Sequence, residues 1–191
     1  IAATKKPIIL STGMSYLKEI DEIVSFFHQR NIDFCLLQCT SKYPTPLEEI
    51  EVNSMVDFAN RYDSLVGLSD HSGTIWPSLF GIANGANLIE VHIKLDVNAF
   101  GPDSSSSLLP EQISSICEAR DAFHIFKNNT NKKDTTSKEL SKTRRLFSKS
   151  ISLNSNFKKG TKITKKMISM KKPGTGLPES QINNILGKKL K

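Results

Sequence analysis

Two histidines are the residues of this sequence best suited to chemistry. His71 follows a short apolar run in a polar turn, and His92 lies in residues 88–95, where apolar and ionisable residues alternate. Because strand side chains alternate between two faces, Glu90, His92 and Lys94 must share one face of a strand. If the two runs are neighbouring strands, the two imidazoles could share a metal ion or a substrate. A solvated sheet face with an unrelated turn histidine remains the alternative.

The elements that would position these histidines alternate along the first two thirds of the chain. Four short apolar runs predict strands, and each is followed by a segment with apolar spacings of three and four, typical of an amphipathic helix. The predicted strands are residues 7–12, 34–39, 65–69 and 88–95, and the predicted helices lie near 15–27, 50–62, 75–83 and 110–126. Strand and helix repeated four times predict a parallel α/β sheet with right-handed crossovers.

Each predicted strand ends in small polar residues. They include Ser11, Ser41, Ser69 and the turn that holds His71. Ligands of parallel α/β folds bind at the carboxyl ends of the strands, so four such ends predict a binding site along one edge of the sheet. Tight turns between strands and helices would also favour small residues, and this alternative stays open.

The two parts of the chain differ sharply in charge. The 191 residues carry a net charge of +7, but residues 1–126 hold 8 Lys and Arg against 16 Asp and Glu, whereas residues 127–191 hold 18 against 3. This asymmetry predicts two modules with different surfaces. The basic part could bind nucleic acid or an acidic neighbour. Its lysines alternate with turns, and only Phe147 and Phe157 could serve as stacking platforms, so the pattern does not favour nucleic acid.

The cysteines and the absence of long apolar runs predict the compartment. Cys35, Cys39 and Cys117 are odd in number, which favours free thiols in a reducing cytosol. No apolar run approaches the length of a membrane span, and the first residues lack a charged and then apolar leader. We therefore expect a cytoplasmic protein without a membrane contact.

Six motifs, in order and at fitting spacing, resemble the N-acetylneuraminate (sialic acid) synthase family of bacterial type, including its legionaminate- and pseudaminate-forming relatives. They are Lys-Pro-Ile-Ile-Leu-Ser-Thr-Gly-Met at 6–14, Cys-Thr-Ser-Lys-Tyr-Pro-Thr-Pro at 39–46, Gly-Leu-Ser-Asp-His at 67–71, Glu-Val-His at 90–92, Gly-Pro-Asp at 101–103 and Lys-Pro-Gly-Thr-Gly at 172–176. The resemblance implies an α/β fold, namely the C-terminal half of a TIM (β/α)8 barrel followed by a small antifreeze-like (SAF) domain. The implied domains are a barrel half at 1–127, a linker at 128–144 and an incomplete SAF domain at 145–191.

The resemblance also implies that this chain is a fragment of a longer synthase. Such a synthase is expected to form a domain-swapped homodimer, in which the SAF domain of one protomer reaches the other. Residues 145–191 should then pack little against the barrel half of their own chain. The alternative within the same family is a truncated, non-catalytic binding protein.

The family condenses phosphoenolpyruvate with an N-acetylmannosamine-type sugar and releases phosphate, which implies a divalent metal, Mn²⁺ or Mg²⁺, as Lewis acid. By resemblance His71 and His92 bind the metal, Glu90 manages a proton or the attacking water, and Asp103 holds a metal-bound water or the sugar. The implied substrate-binding residues are Ser11, Ser41, Tyr43, Ser69 and Lys172. Family members often carry Asn at the position of Ser41 and Arg at that of Lys172.

Two geometric expectations follow for the sheet. A shared metal ion requires imidazole nitrogens of His71 and His92 within about 4–5 Å of each other. Ile93, on the other face of its strand, should pack beneath a helix, and its truncation should cost a few kcal/mol, about the cost of a core cavity.

Overall fold

Five parallel strands form the sheet of the first part of the chain. They are β1 (Ile8–Ser11), β2 (Phe34–Cys39), β3 (Leu65–Asp70), β4 (Leu88–Ile93) and β5 (Ser107–Leu108), and they pair in chain order. Every pair is parallel, which confirms the parallel arrangement predicted for the first four strands. The two-residue β5 was not predicted, because so short a strand cannot show an alternating pattern.

Four helices connect or follow these strands. They are α1 (Leu17–Gln29), α2 (Val52–Tyr62), α3 (Trp76–Ala83) and α4 (Pro110–Lys127). Short 3₁₀ turns lie at Ala2–Thr4, Leu47–Glu49 and Ser104–Ser106. No helix is long and apolar enough to cross a membrane.

The computed structural model describes all 191 residues, in two units, Ile1–Asn128 and Asn129–Lys191. The second unit contains α5 (Lys133–Glu139), α6 (Ser141–Phe147), β6 (Ser150–Leu153), β7 (Ile168–Lys171) and α7 (Ile182–Ile185). β6 and β7 form an antiparallel pair. Residues 128–144, interpreted from the sequence as a linker without periodicity, include α5 and the start of α6. Neither helix buries a residue, so there was no apolar face for the sequence to reveal.

The core of the first unit lies between the sheet and the helices α1 and α2. Its central buried side chains are Ile20, Val24, Leu36, Met55, Phe58, Tyr62 and Val66. The spacing of Ile20 and Val24 places both on one face of α1, and Leu36 on β2 faces that helix layer. The packed sheet holds β2 and β3 rigidly, and their carboxyl ends carry most of the candidate site.

A close approach of two backbones sets the spacing of β3 and β4. Gly67 is paired with Leu88. A Cβ atom at Gly67 would lie 2.2 Å from the Leu88 carbonyl oxygen and 2.6 Å from Leu37 Cδ2. Only glycine fits there, and it brings the strand of His92 against the strand that precedes His71.

Burial falls away at β4. None of its residues is fully buried, and Ile93 is 56% exposed. The expectation that Ile93 belongs to the packed core was therefore wrong. Alternation identifies the face of the strand on which a side chain lies, but it cannot tell whether anything covers that face.

Candidate functional site

A buried imidazole stands at the carboxyl end of β3. His71 is 5% exposed, and its Nδ1 lies 3.2 Å from the backbone carbonyl oxygen of Thr40, just beyond β2. A carbonyl oxygen can only accept a hydrogen bond, so Nδ1 carries the proton and the lone pair is on Nε2.

The Nε2 lone pair of His71 receives no hydrogen bond. Ser69 Oγ lies 3.5 Å from His71 Nε2, and that hydroxyl donates to Glu90 Oε1 at 2.7 Å. A serine hydroxyl has one proton, so Ser69 cannot also donate to His71. A buried imidazole with an unpartnered lone pair is suited to bind an electrophile such as a metal ion.

The second imidazole comes from the neighbouring strand. The ring centroids of His71 and His92 are 5.1 Å apart, with the planes inclined at 68°. Glu90 lies beside Ser69 and His92 lies beside His71, which confirms that Glu90 and His92 share one face of β4. The separation of the ring nitrogens stays a prediction.

Asp103 lies beside the second imidazole. Its Oδ2 is 3.8 Å from His92 Nδ1. The loop that carries it is held by Ser107 Oγ, which donates to the Asp103 carbonyl at 2.7 Å, and by Lys94 Nζ, which donates to the Ser104 carbonyl at 2.9 Å. Lys94 thus serves the loop, although the sequence placed it on the same face as Glu90 and His92.

The donor set fits a divalent ion that keeps open positions. The chain has no group of three or more His, Cys, Asp or Glu residues arranged to hold a metal. The two imidazoles would be the protein ligands, and water or substrate oxygens would complete the coordination. Nitrogen donors of this kind suit first-row transition metals better than Mg²⁺, which prefers oxygen ligands.

The ring of Tyr43 covers both imidazoles. Its centroid is 4.2 Å from that of His71 and 5.8 Å from that of His92. Burial raises the pKa of the Tyr43 hydroxyl, and electrostatic interaction with the nearby acidic groups Cys39, Asp103 and Glu90 raises it further. The phenol therefore stays protonated and able to donate a hydrogen bond to an anionic ligand.

The remaining predicted substrate-binding residues are less tightly connected. Ser41 Oγ lies 3.8 Å from Cys39 Sγ. A Cβ atom at Gly13 would lie 2.3 Å from Ser41 Oγ, so the loops after β1 and β2 are in contact. Ser11 ends β1 and is exposed, without a hydrogen bond to the other site residues. Lys172 belongs to the second unit, where its Nζ lies 5.3 Å from the Phe147 ring centroid. The substrate-binding roles of all three stay predictions.

Three residues that hold His71 were missed by sequence reasoning. The Thr40 carbonyl accepts from its ring, the Thr45 backbone N–H donates to its carbonyl at 3.0 Å, and Cys39 Sγ lies 4.0 Å from its Nδ1. Backbone groups leave no trace in residue type. The one usable signal was a hydroxyl residue, Thr45, between two prolines in the loop after β2.

The carboxylate next to His71 shapes the turn. Asp70 is 3% exposed and accepts hydrogen bonds from the Ser72 backbone N–H at 3.0 Å and the Ser72 hydroxyl at 2.9 Å. Burial raises the pKa of Asp70, and its bonds to Ser72 oppose that shift. Because neighbours on a strand alternate, Asp70 faces away from Ser69 and His71 and fixes the backbone on which His71 stands.

Comparisons with known proteins place this chain in a family. The NeuB family model matches residues 1–132. The chain is 34% identical to the N,N'-diacetyllegionaminic acid synthase of Legionella pneumophila over 99% of its own length and 54% of that protein. It is 32% identical to a pseudaminic acid synthase of Campylobacter jejuni over 99% of this chain and 54% of that protein.

A solved structure agrees with these sequence matches. The crystal structure of an N-acetylneuraminic acid (sialic acid) synthetase from Leptospira borgpetersenii superposes with a TM-score of 0.67 at 26% identity. The match covers 76% of this chain and 52% of that one. The chain spans about half the length of the curated relatives it matches. With most of its residues matched by the family model, the chain belongs to the NeuB family.

Proposed function

We propose that this chain carries the metal-binding and enolpyruvate-binding part of a nonulosonic acid synthase. The enzyme would condense phosphoenolpyruvate with an N-acetylated amino sugar of the N-acetylmannosamine type and release phosphate. The observation that carries the proposal is the pair of imidazoles, His71 and His92, at the ends of adjacent parallel strands beside the Ser69–Glu90 hydrogen bond. The names of the relatives, synthases of legionaminic and pseudaminic acid, support the same reaction class.

The proposed architecture of this chain is that of the C-terminal part of the synthase. Residues 1–127 would form the C-terminal half of a TIM (β/α)8 barrel, and residues 145–191 would form the SAF domain after the linker at 128–144. Parallel strands in chain order, most of them joined by helices, support the barrel half. The full-length enzyme is proposed to be a cytoplasmic, domain-swapped homodimer.

In the proposed site, His71 through Nε2 and His92 would hold Mn²⁺ or Mg²⁺, and the nitrogen donors favour Mn²⁺. When bound, the ion would polarise the sugar aldehyde as a Lewis acid. Asp103, whose Oδ2 lies 3.8 Å from His92 Nδ1, would hold a metal-bound water or the sugar.

The other side chains act on the substrates. Glu90 would take the proton of the water that attacks the enol phosphate carbon. The hydroxyls of Ser11, Ser41, Ser69 and Tyr43 would donate to the carboxylate and phosphate of phosphoenolpyruvate. Lys172 would offer a charge to the sugar without the planar fork of an arginine.

Manganese titration tests the metal site directly. We expect one Mn²⁺ per chain by calorimetry, and an affinity at least tenfold lower in His71→Ala and in His92→Ala, because each loses one of two protein ligands. His28→Ala, on the exposed face of α1, is the matched control and should leave the affinity unchanged. Unaltered Mn²⁺ binding in both site variants would show that the metal binds elsewhere.

Phosphate release tests the chemistry. With phosphoenolpyruvate, N-acetylmannosamine and Mn²⁺, the intact synthase should release phosphate, and His71→Ala should abolish the release. An intact protein that binds Mn²⁺ at both histidines but releases no phosphate would instead be the non-catalytic binding protein.

A further inference from the structure

We propose that Thr45 is a positioning residue that keeps the proton of His71 on Nδ1 and so leaves Nε2 as the metal-binding nitrogen. The metal-binding half of this statement rests on the proposed function. The tautomer half stands on hydrogen bonds within the chain. Thr45 touches neither metal nor substrate in this scheme and acts through the loop between β2 and α2.

The first contact between Thr45 and the site is with main chain. Thr45 is 4% exposed, and its backbone N–H donates to the carbonyl of His71 at 3.0 Å. This bond ties the loop after β2 to the residue that follows β3. It fixes where the backbone of His71 stands, but alone it does not choose the ring tautomer.

The second contact folds the loop around the imidazole. Thr45 Oγ1 donates to the carbonyl of Lys42 at 2.7 Å and lies 3.2 Å from the carbonyl of Thr40. Without this hydroxyl, the carbonyl of Lys42 would lose a donor inside the loop. The Thr40 carbonyl is also the group that accepts from His71 Nδ1 at 3.2 Å. The backbone N–H of Lys42 donates to the Thr40 carbonyl at 2.9 Å. By holding Lys42, the Thr45 hydroxyl therefore positions the acceptor that selects the tautomer.

The selected tautomer has a consequence at the other ring nitrogen. With the proton on Nδ1, the lone pair of Nε2 lies 3.5 Å from Ser69 Oγ, which has already given its proton to Glu90. In the other tautomer the Nδ1 lone pair would face the Thr40 carbonyl oxygen, which is repulsive, and Nε2 would carry a proton and bind no metal. Hydrogen-bond partners of metal-binding histidines set the ring nitrogen in this way.

The test uses the whole chain with ¹⁵N-labelled histidine, free of metal. In the wild type, His71 should show a protonated Nδ1 and a bare Nε2, identified by the signals missing from His71→Ala. Thr45→Val removes the hydroxyl at nearly constant volume and should give a mixture of tautomers at His71. Thr45→Ser keeps a hydroxyl and should restore the wild-type pattern. His28 and His124 are internal controls in the same spectra.

Manganese affinity supplies the second readout. Loss of a hydrogen-bonding partner of a metal ligand costs about 10–100-fold in affinity, and Thr45→Val acts one bond further away, so we expect a loss of about tenfold. Thr45→Ser should stay within about threefold of the wild type by the same argument. Fluorescence of Trp76, the single tryptophan, verifies that each variant is folded.

Two outcomes would overturn the inference. A wild-type His71 with its proton on Nε2 would do so without any variant, even if Thr45→Val failed to fold. An unchanged Nδ1–H pattern in folded Thr45→Val would also do so, whatever the Mn²⁺ affinity. If Thr45→Val shifts the tautomer while the wild-type chain binds no Mn²⁺, the positioning role of Thr45 stands and the proposed metal site fails.

Discussion

The two units of this chain are built on different balances of forces. All but one of the buried hydrophobic side chains lie in the first unit, and Met167 is the exception in the second. The second unit is strongly basic, and its Lys and Arg side chains make no ion pair. Burial of apolar surface is the dominant favourable contribution to the free energy of folding. This contribution is therefore far larger in the first unit than in the second.

Hydrogen bonds contribute a larger fraction of the folding stability in the second unit. Ser150 Oγ donates to the Pro173 carbonyl at 2.8 Å, and the Gly174 N–H donates to the Arg145 carbonyl at 2.8 Å. Each such bond contributes only about 0.5–1.5 kcal/mol net. The comparison implies that core truncations should matter most in the first unit.

The largest effect is expected from Leu36→Ala. Leu36 is fully buried at the centre of the core between the sheet and α1 and α2. Its truncation should lower the free energy of unfolding by about 2–5 kcal/mol through lost burial and a cavity. Urea unfolding followed by the fluorescence of Trp76, which lies in the first unit, measures this loss.

Two controls sharpen this prediction. Ile93→Ala, at a side chain 56% exposed, should cost less than about 1 kcal/mol, since little apolar area is lost. Met167→Ala should leave the Trp76 midpoint unchanged and speed hydrogen exchange in β6 and β7. If Met167→Ala shifted the Trp76 midpoint as far as Leu36→Ala does, the two units would unfold as one and the comparison would fail.

A smaller loss is expected from Gly67→Ala. The added methyl group would lie 2.2 Å from the Leu88 carbonyl oxygen, and a backbone atom in a sheet can yield only by moving the strand. Overpacking of this kind costs about 1–3 kcal/mol. Because the shift separates β3 from β4, Mn²⁺ affinity should fall along with the urea midpoint. A stable variant with unchanged affinity would contradict the close approach of these strands.

The smallest effect is a dependence of stability on acid pH confined to the first unit. Arg61 donates to both carboxylate oxygens of Asp21 at 2.8 and 2.7 Å, and the Tyr62 hydroxyl donates at 2.8 Å. The hydrogen bonds from Arg61 and then Tyr62 hold the pKa of Asp21 below its usual value. The stabilisation is therefore present above the unfolded pKa, about 3.9, and is lost as pH falls through the lower, folded pKa.

The variant Asp21→Asn tests the predicted direction of this pH dependence. Between about pH 4 and pH 2 the wild type should lose more stability than the variant, because only the wild type has this carboxylate to protonate. Urea midpoints read by Trp76 at pH 7 and pH 3 provide the measurement. Parallel losses in the two proteins would mean that the Arg61 pair contributes nothing to the acid response.

The sequence predicted the parts of the fold that rest on periodicity. Alternation in residues 88–95 correctly placed Glu90 and His92 on one face, and the spacing of Ile20 and Val24 placed α1 on the sheet. The sequence-based prediction failed at Ile93, because periodicity shows on which face of the strand a side chain lies but not whether a helix packs on that face. It failed again at α5 and α6, because helices that bury nothing need no apolar period.

The residues of the candidate site also fall into a predictable and an unpredictable group. The imidazoles of His71 and His92 could be anticipated, since their side chains follow from strand order and alternation. The hydrogen bonds that hold His71 could not be anticipated. They are made by the Thr40 carbonyl and the Thr45 N–H, groups that every non-proline residue possesses. Such contacts depend on how a loop folds, which the residue types in it only weakly restrict.

The thiol of Cys39 would give the hydrogen bond of His71 a role in metal discrimination at the proposed site. Cys39 Sγ lies 4.0 Å from His71 Nδ1, the ring nitrogen that is not proposed to bind the metal. A bare Nδ1 would create a nitrogen and sulfur pair, a soft donor set that attracts zinc or cuprous copper. With that nitrogen protonated toward Thr40, the sulfur would have no partner ligand, and the proposed metal site between the two imidazoles would favour the harder ion.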